Sequence, residues 1–307
     1  MKHLATVERS LLVGHAVSML FGLAGLLIVL PHAEWVVQLS ALGQSIFQWS
    51  MAGGGVVYML LGTAAVAVYA YRVLGTRRWL SFMVPAVLLS LGSELLGTST
   101  GFPFGHYRYL SGLGYKIAGL VPFTIPLSWF YLGCAAYLLA RVGLERFGWP
   151  RWLHLSLAIA FGSVLLTSWD FVLDPAMSQT LMPFWLWEQP GAFFGMPYQN
   201  FVGWLGTGIV FMTVATLLWP RQPLHLSREQ MLFPLAIYLS NLAFATVMSL
   251  AFGFWVPVVL GLIVGVVPAI AFYASARPQA MLLESQLQGS VGQATSETSP
   301  VPVASTK

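Results

Sequence analysis

Three acids fall where an apolar chain would ordinarily have none. Glu94 sits three residues from the end of an apolar run at 79–97, Asp170 lies near the end of another at 153–173, and Asp174 is just past it. A carboxylate inside a membrane span is costly and marks a functional site by default. Asp170 and Asp174 are four residues apart, so they share a face if the helix persists. Each run leads into an aromatic stretch. Phe102, Phe104, Tyr107 and Tyr109 follow Glu94, while Phe184, Trp185, Trp187, Phe193, Phe194 and Tyr198 follow Asp174. Aromatic faces can stabilise a cation, so the pattern reads as an aromatic lid over three acids.

Plainer readings compete with this one. Asp174-Pro175 has the form of a helix cap followed by a first-turn proline. Asn200 can cap the helix it precedes. Glu94 or Asp170 can pair with Arg108, and the aromatic residues can form an interfacial belt. Asn241 suits an interhelical hydrogen bond, and Gly261-x-x-x-Gly265 suits helix packing. Other chemistries lack their residues. The six histidines form no di-iron cluster, and His15 and His154 are weak candidates for haem ligands. Gly53-Gly54-Gly55 lies inside a span and is no phosphate loop, and there is no nucleophile elbow. The lone Cys134 can form neither an internal disulfide nor a thiolate cage.

The elements that must position the acids are membrane helices. Of 307 residues, 57% are hydrophobic and 8% charged, against about 25% charged in a soluble domain. The fold class expected is all-α: a polytopic integral membrane protein in one domain over 1–278, with a polar disordered tail at 279–307. Eight spans are read at roughly 11–30, 51–71, 79–97, 117–140, 153–173, 201–219, 231–250 and 254–274. Pro122 and Pro126 are expected to kink the fourth, Pro257 and Pro268 the eighth. The first run is too long for a cleavable signal. Twelve of the fourteen basic residues fall on one side, leaving Arg108 and Lys116 on the other. The positive-inside rule then puts both termini in the cytoplasm, and the net charge of +4 is a topology signal, with no nucleic-acid partner implied. The long loops at 98–116 and 174–200 lie on the outer side, above the acids.

Four ordered motifs carry a family resemblance. They are Glu94-x-x-Gly-x-x-Thr-Gly-x-Pro-Phe-Gly-x-Tyr-x-Tyr109, Val121-Pro-Phe-Thr-Ile-Pro-Leu-Ser-Trp129, Asp170-x-x-x-Asp-Pro175 and Gly195-Met-Pro-Tyr-Gln-Asn-Phe-Val-Gly-Trp204. Over roughly residues 80–275 the chain resembles the CruF-type carotenoid hydratases, integral membrane proteins of carotenoid biosynthesis. The resemblance implies a hydro-lyase that adds water to the terminal 1,2 (1′,2′) double bond of an acyclic carotenoid end, giving a tertiary alcohol. Lycopene, γ-carotene and a bacterioruberin precursor are the substrates it suggests. Protonation at the less substituted carbon leaves a tertiary cation that water captures. That chemistry needs a carboxylic acid kept protonated by apolar surroundings, a group to hold water, and electron-rich faces. It is redox-neutral and implies no metal and no cofactor.

Under this resemblance Asp170 is expected to be the general acid, with Glu94 or Asp174 orienting the water. Tyr107, Tyr109, Trp169, Trp187 and Trp204 are expected to line the pocket, and Asn200 to bond the water or the new hydroxyl. A carotenoid, water and the lipid bilayer of the cell membrane are the implied partners, with other carotenoid biosynthesis enzymes as further candidates. Two rivals remain. An intramembrane prenyltransferase would use Asp170 and Asp174 with magnesium, and a carotenoid or lipid carrier would bind without making product.

Overall fold

The computed structural model describes residues 2–180, 182–220, 224–278 and 280. The segment read as a tail lies outside them apart from Ala280, as do Arg221 and Lys307 of the basic set. Among the described residues, eight helical stretches are long and apolar enough to cross a membrane. The chain is an all-α polytopic membrane protein.

The helices are α1 (Lys2–Ala24), α2 (Ala33–Val37), α3 (Ala41–Leu74), α4 (Thr76–Thr100), α5 (Thr124–Gly143), α6 (Arg151–Ser178), α7 (Tyr198–Leu218), α8 (Arg228–Ala251), α9 (Trp255–Gly261) and α10 (Val267–Ser275). A π-turn at Gly25–Val29 and a 3-10 turn at Leu30–His32 join α1 to α2, making one crossing. A second π-turn at Leu262–Val266 joins α9 to α10. The irregularity expected in the eighth span therefore falls just before Pro268.

The fourth span starts later in the chain than its apolar run suggests, at Thr124, and runs to Phe147. Ile117, Val121 and Pro122, expected at its start, instead belong to β2 (Lys116–Ile117) and β3 (Val121–Pro122), a small antiparallel ladder. Pro122 is thus outside the helix. Pro126 sits in its first turn, where a missing N–H costs no hydrogen bond, so neither proline kinks α5. The fifth span is longer than expected. It runs through Asp174-Pro175 to Ser178, and the capping reading of Asp174 fails. The helix continues four residues beyond Asp174, so Asp174 does not start a new one.

The bundle is arranged around α5. A helix apolar on all sides belongs in a core, and every residue of α5 except Leu127 is buried. Its small residues let neighbours come close. A Cβ placed on Gly143 would lie 2.5 Å from Phe272 Cβ and 2.6 Å from its Cα. Asn241 of α8 makes the interhelical contacts its type suggested, with Nδ2 2.9 Å from His15 Nε2 and Oδ1 accepting from Tyr131 at 3.3 Å. His15 also bonds the Tyr58 carbonyl at 2.7 Å, and His154 bonds that of Arg141 at 2.7 Å. Both rings are thus tied into the protein. Gly261 and Gly265 pack against Val172 and Ser168 of α6.

Gly143→Ala is expected to lower stability by about 1–3 kcal/mol through overpacking against backbone. Gly206→Ala, with nothing within 4 Å of the added atom, serves as the control. Equal melting temperatures for the two variants in detergent would count against the close α5–α10 contact.

Candidate active site

The two aromatic loops meet over one end of the bundle. Tyr107–Tyr109 forms β1 and Trp185–Trp187 forms β4, and they pair antiparallel with Tyr107 opposite Trp187 and Tyr109 opposite Trp185. Alternate side chains of a strand point to opposite faces. Tyr107 and Tyr109 are buried, while Arg108 points away and pairs with Glu188 at 3.1 Å. Arg108 therefore does not pair with Glu94 or Asp170. The first loop is also anchored by Phe104, whose ring fits where Gly203 of α7 has no side chain; a Cβ there would lie 2.4 Å from Phe104 Cδ1.

The ladder delivers hydrogen-bond donors to two of the acids. Glu94 Oε2 accepts from the hydroxyls of Tyr107 and Tyr109, the latter at 2.9 Å. Its Oε1 accepts from Trp129 Nε1 of α5 at 2.9 Å. Asp174 Oδ1 accepts from Trp187 Nε1 at 2.8 Å and Ser178 Oγ at 3.1 Å, and its Oδ2 accepts from Trp185 Nε1 at 3.0 Å. Burial, with the Glu94 carboxyl beside them, holds both phenols well above the usual tyrosine range, so they stay donors.

Asp170 is different. Asn200 Nδ2 donates to its Oδ2 at 2.7 Å, and that is its hydrogen bond among the described residues. Asn200 lies in the first turn of α7, but Pro197 occupies the cap position, so the capping reading of Asn200 is replaced by this bridge. All three acids are buried. None pairs with a cation among the described residues.

The three acids share one cavity of about 70 Å³. Tyr107, Tyr109, Trp169, Trp187, Asn200 and Trp204 line it too, so every residue expected at the site faces one space. Trp204 stacks on Trp129 with centroids 4.0 Å apart, and Trp169 meets Trp204 edge-on at 5.7 Å. In the sequence reading Trp185 is only part of the aromatic lid and Trp129 only the end of a motif, although each donates to an acid. The alternation Trp185-Leu-Trp187 matches Tyr107-Arg-Tyr109 and was the available signal for the Trp185 bond. The Trp129 bond had no local signal, because it spans 35 residues.

Such an arrangement can hold a proton, a water and a cation in an enclosed space. It defines a class: polytopic helical membrane proteins that bury several carboxyl groups under an aromatic cover. The family is more particular. The model of the carotenoid biosynthesis protein family matches residues 54–268, and the chain belongs to that family. It is 33% identical over 183 residues to bisanhydrobacterioruberin hydratase of Haloarcula japonica, covering 60% of each chain. It thus spans less than two thirds of that relative's length. No solved structure matches it. Both matches agree with the resemblance carried by the four motifs.

Removing the Glu94 carboxyl should free the lid. Glu94→Ala leaves Tyr107, Tyr109 and Trp129 without their acceptor, at about 1–3 kcal/mol for each unpaired donor. Hydrogen exchange over 101–123 and 182–197 is expected to rise. Unchanged protection there would show that Glu94 does not hold the loops.

Proposed function

We propose that the protein is a carotenoid hydratase of the cell membrane, adding water to the terminal 1,2 (1′,2′) double bond of an acyclic carotenoid end. The observation that carries the reading is the unequal treatment of the three acids. Glu94 and Asp174 each accept three hydrogen bonds from neutral donors. A proton on either would compete with a donor already aimed at that oxygen. Asp170 accepts one bond, on Oδ2, and lines the cavity. Its Oδ1 is able to carry a proton toward a substrate without such a conflict.

The proposed steps balance without an added reagent. The alkene π pair takes the Asp170 proton at the less substituted carbon, leaving Asp170 ionised and the neighbouring carbon a tertiary cation. The rings of Trp129, Trp169 and Trp204 line the cavity, and an open aromatic face there suits that positive charge. A water held by Asp174 or Glu94 adds its oxygen to the cation. Asp174 Oδ2 and Glu94 Oε1 each accept one protein bond and so retain capacity for a water. The proton released by the water returns to Asp170, and Asn200 holds the new hydroxyl. The apolar walls exclude other water, which favours one capture event over random solvent attack.

The family and the activity for which the Haloarcula japonica relative is named support this reading. The prenyltransferase alternative has less support. Both Asp174 oxygens already accept indole N–H bonds, Arg108 is engaged by Glu188, and Lys116 donates to the Tyr109 carbonyl at 2.6 Å. A magnesium pyrophosphate would have to displace these contacts. The orientation that fits is the aromatic end outward and both termini cytoplasmic, from the distribution of basic residues.

Expression in cells that make lycopene or γ-carotene should yield a more polar pigment, heavier by one water and unchanged in colour. Asp170→Asn should abolish that product while the protein still accumulates in the membrane. Wild-type turnover by Asp170→Asn would remove Asp170 from the mechanism.

A further inference from the structure

A cavity of about 70 Å³ holds a few water-sized centres. It suits a terminal prenyl unit and a water, so the rest of a long polyene has to lie elsewhere. A second cavity, of about 160 Å³, adjoins the first at Phe184, whose side chain lines both. The continuity extends along α8. Phe244 faces the first cavity and Met248 the second, one helical turn apart on one face.

The second cavity differs in chemistry from the first. Leu26 and Leu27 of the π-turn after α1, Leu30 and Phe252 line it, and Thr180 is its one polar lining residue among those described. Three carboxyl groups line the first cavity, whereas no ionisable side chain lines this one among the described residues. Its α1 wall belongs to the least buried of the eight spans, with Phe21 and Ile28 facing outward. The cavity thus borders the bilayer side of the bundle, away from α5. Phe184 has a fixed backbone: its N–H donates to the Met177 carbonyl at 2.8 Å, and its carbonyl accepts from Leu110 N–H at 2.8 Å.

We propose that the second cavity seats the part of the substrate's polyene next to the reacting end. The chain enters from the bilayer between α1 and α8, passes Phe184, and presents its end to Asp170. This rests on the hydratase reading of the first cavity and adds where selection for a long apolar chain is made.

Met248→Trp and Ala251→Phe test the seat by filling it; Ala251 lies at its exposed rim, where folding tolerates added bulk. Two readouts are used: lycopene binding, followed by quenching of tryptophan fluorescence, and the ratio of kcat/KM for lycopene to that for farnesyl acetate, a short chain ending in the same double bond. Both variants are expected to weaken lycopene binding and to lower the ratio at least tenfold. Unaltered lycopene binding by the folded variants, or a ratio equal to that of the wild type, would overturn the seat. Absence of hydration by the wild type would count against the reaction, and the binding comparison would still decide on the seat.

Discussion

A carboxylate removed from water must find partners or lose its charge, and the structure depends on how Glu94 meets that demand. Its oxygens join three separate parts of the chain. Tyr107 and Tyr109 come from the first aromatic loop, Trp129 from the central helix, and Glu94 itself from α4. Deleting that acceptor would leave a buried indole and two buried phenols unpaired, each at a cost comparable to a lost hydrogen bond. The acid thus acts first as a clamp. The aromatic cover over the cavity is held by polar bonds beneath it as well as by ring packing.

Asp174 repeats the device on the second loop. Its donors are Trp185 and Trp187, which face Tyr109 and Tyr107 across the ladder. A strand pair has two faces, and here the inner face carries four aromatic donors while Arg108 and Glu188 pair outside. One short ladder therefore ties both loops to two acids on two helices. The third acid is left with Asn200 alone. Two carboxyls that each accept three bonds, and one that accepts a single bond, give the cavity an internal asymmetry.

The membrane helices supply the frame with little polar chemistry of their own. Small residues on α5 let its neighbours approach, and side-chain packing in place of water exclusion holds helices together in lipid. The His15–Asn241–Tyr131 contacts add hydrogen bonds across α1, α8 and α5. On this frame the site lies at one end of the bundle, under the two aromatic loops.

Much of this was legible in the sequence because its signals are local. Apolar runs fixed eight crossings, basic residues fixed an expected sidedness, and the positions of Glu94, Asp170 and Asp174 along their runs put three acids at one depth. The motifs brought the family into view, and all nine expected site residues face one cavity. The tertiary structure alone decided what each acid bonds. Local pattern offered Asp174 as a cap and Arg108 as a partner for Glu94 or Asp170 as the plainer readings, because Asp-Pro is a cap signal and opposite charges attract. The helix instead runs through Asp174 to Ser178, and Arg108 pairs with Glu188. Trp129 reaches Glu94 from 35 residues away, and Asn200 reaches Asp170 from 30. Hydropathy and helical period act over a few residues, whereas hydrogen-bond satisfaction in a buried site is settled by whichever donors folding brings within reach.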